Sequence, residues 1–310
     1  MITTVTLNAS IDKAYRLAQE VVPGTVMRVS EVRNSAGGKG LNTSRAIVTC
    51  GEQVTATGFV GGNNGRMLCE LAERDGVPCD FVHTASETRC CINAIEPDGR
   101  STELLEPGQP VSADDVAAVE RKVAELAAQS DVVTMNGSVP AGCGDAIYRQ
   151  LIEVIHAAGK PALLDTSGKL LVGSLDARPD VIKPNTDEIA AILGHKPSSL
   201  DEVVAAAREV RERHGVGCVI VSLGGDGSVM SCAEGEFRGI SPKIEVVNTV
   251  GSGDTLVGAF AVATARGLAL PERLRFAMAC ASANCLTPNT GNFEMSVADE
   301  LLAQTTVARL

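Results

Sequence analysis

Thr249-Val250-Gly251-Ser252-Gly253-Asp254-Thr255 runs directly into Leu256–Ala265, an apolar stretch of helical period. It reads as a glycine loop opening a buried helix. The first N–H groups of such a helix lack internal acceptors and sit at the positive end of the macrodipole, so they form an anion site. Glycines let backbone approach a phosphate closely. Asp254 has two meanings here, a helix cap or a base. The two glycines bracketing Ser252 favour the second, because an Asp beside an anion hole can take a hydroxyl proton while the N–H groups stabilise a transferring phosphoryl group. Its pKa is expected to be low.

Outward from that loop, short β-rich runs alternate with longer runs of helical period, which predicts an α/β fold with a mostly parallel sheet covered by helices. The expected sheet strands are Ile2–Leu7, Val54–Phe59, Asp131–Met135, Ala162–Asp165, Asp180–Ile182 and Cys218–Ser222. Expected helices include Asp114–Ala128, Ala146–Ala158, Leu200–His214, Thr255–Arg266 and Glu272–Cys285. Two segments break the alternation, about 12–34 and 88–105, the second around a Pro97-Asp98-Gly99 turn. They read as strands outside the main sheet, either ordinary surface hairpins or a small flap over a ligand site. No repeat or linker divides residues 1–310, so a single domain is expected.

Composition narrows the function. The 27 Lys+Arg and 38 Asp+Glu leave a net charge of −11, which argues against a broad nucleic-acid surface. Aromatic residues are only 3% of the chain and Trp is absent, so stacking platforms for bases are not expected. The start, MITTVTLNAS, lacks the basic and apolar regions of a secretory signal, and no run is apolar enough for a membrane span. The ten cysteines show no C-x-x-C spacing and read as reduced thiols of a cytoplasmic protein.

Other glycine clusters add chemistry. Ser35-Ala36-Gly37-Gly38-Lys39-Gly40-Leu41-Asn42 opens a helical stretch that includes Arg45, and offers a cation and an amide. Gly61-Gly62-Asn63-Asn64-Gly65 reads as a tight turn. Ser222-Leu223-Gly224-Gly225-Asp226-Gly227 follows a strand, where open α/β sheets bind ligands. No Gly-Lys pair continues into the Ser or Thr of a P-loop, and no cluster completes G-x-G-x-x-G, so a dinucleotide oxidoreductase lacks support.

Taken together, Gly37-Gly38-Lys39-Gly40-x-Asn42 and Thr249–Asp254 form a signature pair. With Thr6–Asp12, Gly137–Pro140, Asp165–Gly168, Lys183–Glu188 and Ser222–Gly227 between and before them, the whole chain resembles the phosphofructokinase-B group of ribokinase-like sugar kinases. The resemblance implies a three-layer fold, ATP and Mg²⁺ as cofactors, and phosphorylation of a sugar or sugar phosphate. It also implies Asp254 as catalytic base, with the anion hole at Gly251, Ser252 and Gly253. Asn185 and Glu188 match an N-x-x-E motif that organises Mg²⁺ and nucleotide phosphates, although alone they could be a helix cap and a solvated carboxylate. Lys183, Ser222, Gly224 and Gly227 match positions beside ATP, and Asn284 falls near the adenine pocket. Asp12, Gly38 and Asn42 match sugar-binding positions, while Lys39 and Arg89, with Arg28 as a further candidate, are cations for a substrate phosphate. In this family the two excursions form a β lid, often the contact between subunits of a homodimer. Ala9, Val139 and Thr255 replace the usual Pro, Leu and Ser or Ala, and none of them removes a group that the chemistry needs.

Glu87-Thr88-Arg89-Cys90-Cys91-Ile92, Thr102–Glu106 and the Gly-Ser-Gly form of the anion loop look more like tagatose-6-phosphate kinases than 1-phosphofructokinases. Fructose-1-phosphate and fructose-6-phosphate stay as alternative substrates. A sugar-phosphate sensor without catalysis is the alternative from another class.

Overall fold

The computed structural model of the chain describes residues 1–310. The first part runs β1 (Ile2–Thr6), β2 (Ser10–Leu17), β3 (Val29–Gly37), α1 (Lys39–Thr49), β4 (Val54–Gly61), α2 (Gly62–Arg74), β5 (Val82–Thr84), β6 (Arg89–Ile95), β7 (Ser101–Leu105), α3 (Ala113–Gln129) and β8 (Val132–Asn136). Then follow α4 (Ile147–Ala157), β9 (Ala162–Asp165), α5 (Gly168–Ser174), β10 (Val181–Ile182), α6 (Thr186–Leu193), α7 (Leu200–His214) and β11 (Cys218–Ser222). The chain ends with β12 (Ser228–Cys232), β13 (Gly235–Ile240), α8 (Ser252–Ala265), α9 (Leu270–Asn284), α10 (Met295–Leu302) and β14 (Thr306–Arg309).

Ten strands form one sheet in the order β14-β13-β12-β11-β10-β9-β8-β1-β4-β5. All six sheet strands expected from the sequence lie in it, side by side and parallel. The sequence reading missed β5 and the antiparallel extension β12–β14. The extension begins immediately after Gly227, and its glycine-rich start reads as a loop when only local pattern is available. The sheet is buried on both faces, as parallel sheets are. Ile2, Val132, Leu163 and Ile220 pack toward α1, α2, α8, α9 and α10, while Val5, Val133, Leu164 and Val219 pack toward α3–α7. The molecule therefore has three layers.

Helix ends follow local chemistry. Ser112 caps α3 in a reciprocal box with Asp115, and α7 runs from a Ser199 cap to Gly215 in the left-handed region. The expected tight turn at 61–65 is instead the start of α2. Gly65, Leu68 and Ala72 recur at helical spacing and are buried on one face, so burial outweighs the poor helix propensity of the Gly/Asn run. Helix α8 is buried along Asp254–Ala263 and packs between α1 and α9. A Cβ on Gly258 would lie 2.7 Å from the Thr43 carbonyl oxygen and 3.1 Å from the Ala46 Cβ. Gly258→Val is accordingly expected to destabilise the fold by about 1–3 kcal/mol, seen as a lower urea midpoint with an unchanged slope.

The two excursions pair with each other rather than with the main sheet. They build a four-stranded sheet in the order β3-β2-β6-β7, with β2 and β6 parallel and the outer pairs antiparallel. Its strands leave the body beside β1 and α1, so the small sheet stands over the carboxyl ends of the main strands. No helix is long and apolar enough to cross a membrane, and all ten cysteines are free.

Candidate active site

Apart from Arg28 and Asn284, the sequence-predicted residues gather around the carboxyl ends of β1, β8, β9, β10 and β11, where α1 and α8 begin. Gly251 caps α8 in the left-handed region, and a Cβ there would meet Thr290 Cγ2 at 2.2 Å, so only glycine fits. Ser252 N–H donates to the Thr249 carbonyl at 3.3 Å, and Thr255 N–H donates back to Gly251 at 2.8 Å. The N–H groups of Gly251, Gly253 and Asp254 find no acceptor within the protein. The open donors are thus those three; the Ser252 N–H already has a partner.

Asp254, on the first turn of α8, is buried and accepts a 2.7 Å hydrogen bond from Asn42 Nδ2 of α1. Its carboxyl is not held low as the sequence reading expected. Burial pushes it up to about 6, the nearby Asp165 carboxylate adds to the rise, and Lys39, Asn42 and Lys183 oppose it. Two effects outweigh the helix dipole: the loss of water around the carboxylate and the charge of Asp165, a residue the sequence placed in a motif without a role.

Asp165 ends β9, fully buried, between two ammonium groups: Lys39 Nζ at 3.4 Å and Lys183 Nζ at 3.3 Å. Burial works against the Lys39 charge, but attraction to Asp165, then Asp254 and Glu188, raises its pKa above the ordinary value. A Cβ on Gly253 would come within 3.4 Å of Lys183 Nζ, which places that cation against the open end of α8. Lys183 therefore faces the anion site. Lys39 is engaged with Asp165, and its side chain is 42% exposed, so its ammonium also faces the cleft. The clue to Asp165 in the sequence is an acid at the end of a buried strand, four apolar-flanked residues long.

The opposite wall is the small four-stranded sheet. Asp12 on β2 accepts from Ser10 Oγ at 2.6 Å, and burial raises its pKa against the pull of Ser10, Arg45 and Arg89. A Cβ on Gly37 would sit 2.1 Å from this carboxyl group. Gly38, with positive φ, caps α1, and a Cβ there would meet Thr6 Cγ2 at 2.8 Å. Arg89 starts β6 and donates to the Asn8 carbonyl at 3.1 Å and to the Glu106 carbonyl at 2.7 Å, so its guanidinium is anchored where the small sheet joins the body. Asn8 in turn donates to Ser138 Oγ at 3.1 Å. A small cavity of about 30 Å³ opens here between Asn8, Gly61, Glu87, Arg89 and Gln109. Arg28 is exposed between β2 and β3 and is not brought to this cleft by any contact within the chain.

On the remaining side, Asn185 caps α6: its Oδ1 accepts from Asp187 N–H at 2.9 Å and Glu188 N–H at 2.8 Å, while Glu188 Oε2 accepts from Asn185 N–H. The cap is real, and it leaves the second oxygen of Glu188 without a partner. No group of three or more His, Cys, Asp or Glu side chains forms a metal cage. A single free carboxylate oxygen fits Mg²⁺ held mainly by phosphate and water. Ser222 pairs with Asn185 through a lone parallel bridge, which carries the Gly224–Gly227 loop to the same edge. Gly224 and Gly225 face open space, whereas a Cβ on Gly227 would strike the Gly239 carbonyl at 2.2 Å. Asn284 differs from expectation. It is fully buried, donates to the Val250 carbonyl at 3.1 Å and accepts from Gly291 N–H at 2.7 Å. It braces the anion loop from behind and has no free edge for a base.

The family model described as pfkB family carbohydrate kinase matches residues 5–296. Phosphofructokinase-2 from Escherichia coli in complex with fructose-6-phosphate is 28% identical, with a TM-score of 0.91 over 98% of each chain. A Thermotoga maritima protein described as a possible 1-phosphofructokinase is 26% identical, with a TM-score of 0.89 over 100% of this chain and 99% of its own. Ribokinase of Arabidopsis thaliana, solved with ribose and ATP, shares the fold at a TM-score of 0.79 and 24% identity over 97% of this chain and 98% of its own. With the family model matched over nearly the whole of it, the chain belongs to the pfkB family of carbohydrate kinases.

Proposed function

We propose that this ATP-dependent sugar kinase phosphorylates a ketohexose phosphate, with tagatose-6-phosphate as the preferred substrate and tagatose-1,6-bisphosphate as product. One observation carries the reading. Asp254, hydrogen-bonded to Asn42, lies beside the open N–H groups of α8 at the end of the main sheet where β2 and β6 present Asp12 and Arg89, so that a hydroxyl and a phosphoryl group would be brought together there. Asp254 would take the proton of the attacking hydroxyl as its oxygen bonds the γ-phosphorus of ATP and the bond to the ADP oxygen breaks. Gly251, Gly253 and Asp254 N–H groups, with Lys183, would stabilise the charge that develops on the moving group, and Lys39 would extend that positive field toward the sugar. Asp12 would hold a sugar hydroxyl, and Asn42, bonded to Arg45 through Oδ1 and to Asp254 through Nδ2, would offer only its second amide N–H to one, with Gly38 leaving room for the ring. Mg²⁺, held partly by Glu188, supplies charge neutralisation of the phosphates when bound. The Asn185 cap and the Ser222–Gly227 loop would border the nucleotide.

The tagatose reading rests on the wording of the Thr88-Arg89-Cys90-Cys91 strand and the Gly-Ser-Gly loop. Similarity to proteins named for fructose phosphates favours a second reading, fructose-1-phosphate or fructose-6-phosphate. Coupled ADP-release kinetics with the three sugar phosphates side by side decides between them. A highest kcat/KM on either fructose ester would replace the tagatose assignment, and turnover on none of the three would leave the sensor alternative. In the same assay Arg89→Ala is expected to raise the sugar-phosphate KM by about tenfold or more, the scale of a lost charged hydrogen bond, with the ATP KM unmoved. An unchanged sugar KM would show that the phosphate is held elsewhere.

The lid also supports a homodimer, since Val29, Val32, Leu104 and Leu105 are exposed on its strands. Ten unpaired thiols fit a cytoplasmic setting.

A further inference from the structure

Arg45 is the most heavily engaged buried cation of the molecule, and the chemistry described above does not use it. It lies on α1 one turn after Asn42, with its side chain only 9% exposed. Its Nε donates to the Thr290 carbonyl at 3.0 Å, and Nη1 donates to the Ala36 carbonyl at 2.7 Å and to Asp75 Oδ2 at 3.3 Å. Nη2 donates to Asn42 Oδ1. Four separate segments therefore meet on one guanidinium: the root of lid strand β3, the end of α2, the segment that packs on Gly251, and α1 itself.

The bond to Asn42 has a directional consequence. An amide can present either its oxygen or its NH₂ to a neighbour. With Oδ1 held by a guanidinium that can only donate, the NH₂ must face Asp254, where it lies 2.7 Å from Oδ2. A flipped amide would point two oxygens at each other in a buried site and leave a guanidinium N–H without an acceptor. Ala36 adds a second link, because it precedes Gly37, the residue covered by the Asp12 carboxyl.

We propose that Arg45 is a positioning residue for phosphoryl transfer: it fixes the Asn42 amide toward Asp254 and ties the root of the lid to the base. The inference rests on the kinase reading above. Arg45 touches neither of the reacting groups; it acts through Asn42. The charged groups around Asp254 are Lys39 and Arg45 from α1, Asp165 at the end of β9, and Lys183 after β10. Loss of the Arg45 fork removes one cation and frees the amide donor, and both changes make Asp254 harder to ionise.

The test compares pH profiles of kcat/KM for the wild type and Arg45→Lys, with thermal unfolding recorded for each. Arg45→Lys keeps a charge but cannot hold four acceptors in one plane. The expected result is a fall in kcat/KM of about tenfold, an acidic limb displaced to higher pH, and partial recovery of Arg45→Ala by millimolar guanidinium. A folded Arg45→Lys protein with its acidic limb unmoved would overturn the proposal. If Arg45→Lys does not fold, Asp75→Glu serves instead, because Asp75 is 38% exposed and a longer carboxylate loosens the fork from the outside without changing the charge. A smaller displacement in the same direction supports the proposal, and none overturns it. A wild type inactive on every phosphorylated ketohexose would sink the kinase reading itself, whereas an active wild type with unmoved variants sinks only the role of Arg45.

Discussion

Asp254→Asn is expected to turn over at least about a hundredfold more slowly than the wild type, the scale of lost base catalysis, with little change in ATP affinity. The variant keeps the shape of the side chain and the surrounding cations, so binding survives while proton removal does not. Near-normal turnover would eliminate Asp254 as the base. The wild type carries a matching pH signature. Burial raises Asp254 to about 6, and a base must be ionised to act. In the free enzyme kcat/KM should therefore be level above that pH and fall about tenfold per unit below it. The limb should be absent from the residual activity of Asp254→Asn. Stability runs the other way. A carboxyl whose pKa rises on folding contributes stability at low pH that is lost as pH climbs through its folded value. At neutral pH the uncharged Asn is thus expected to leave the protein no less stable, and equal or higher thermal midpoints would show that lost activity is not lost structure.

Asp165→Asn should produce the second large effect, on two readouts with opposite senses. Asp165 is fully buried between Lys39 and Lys183, and Lys183 is itself nearly buried. Removal of one partner from a buried ion pair strands the other charge and costs about 3–5 kcal/mol. The exposed part of Lys39 places the loss toward the lower end. Denaturant unfolding would register it as a lower midpoint. The same change withdraws the negative neighbour that helps to raise Asp254, so the acidic limb of kcat/KM should move to lower pH. A limb that stays near 6 in a folded Asp165→Asn protein would show that burial alone sets the pKa of the base.

The layers of this protein were legible because parallel strands and the helices between them carry strong, separate periodicities. Helix Leu200–His214 was readable to the residue, with Ser199 before it and Gly215 after it supplying both ends. The antiparallel strands β12–β14 were not, since each is short and the pairing partner of β14 lies far back in the chain. Glycine loops marked the end of the sheet where the candidate site assembles, because positive φ and close approach leave few other residues possible. Charge coupling was the part that sequence concealed. Nothing around Asp165 marks it as the neighbour of Lys39, which is 126 residues away. The elevated pKa of Asp254 is a property of that assembled cluster and of no local motif. Asn284 shows the reverse case. A polar residue near an expected ligand pocket was assigned to the ligand, and folding committed both of its polar atoms to backbone.

The contacts that hold Asp254, the proposed base, join very distant parts of the chain. Asn42 and Asp254 are separated by 212 residues, and Arg45 and Thr290 by 245. Loop closure of that length pays off only when both ends of the polypeptide are already in place. A nascent or half-folded chain can thus form its sheet centre and several helices while the base still lacks its amide partner and the α8 loop lacks its brace. Such a chain would have an exposed glycine loop and no means of transferring a phosphoryl group. Completion of this site consequently requires contacts between the two ends of the chain, and no segment of it could assemble the site alone.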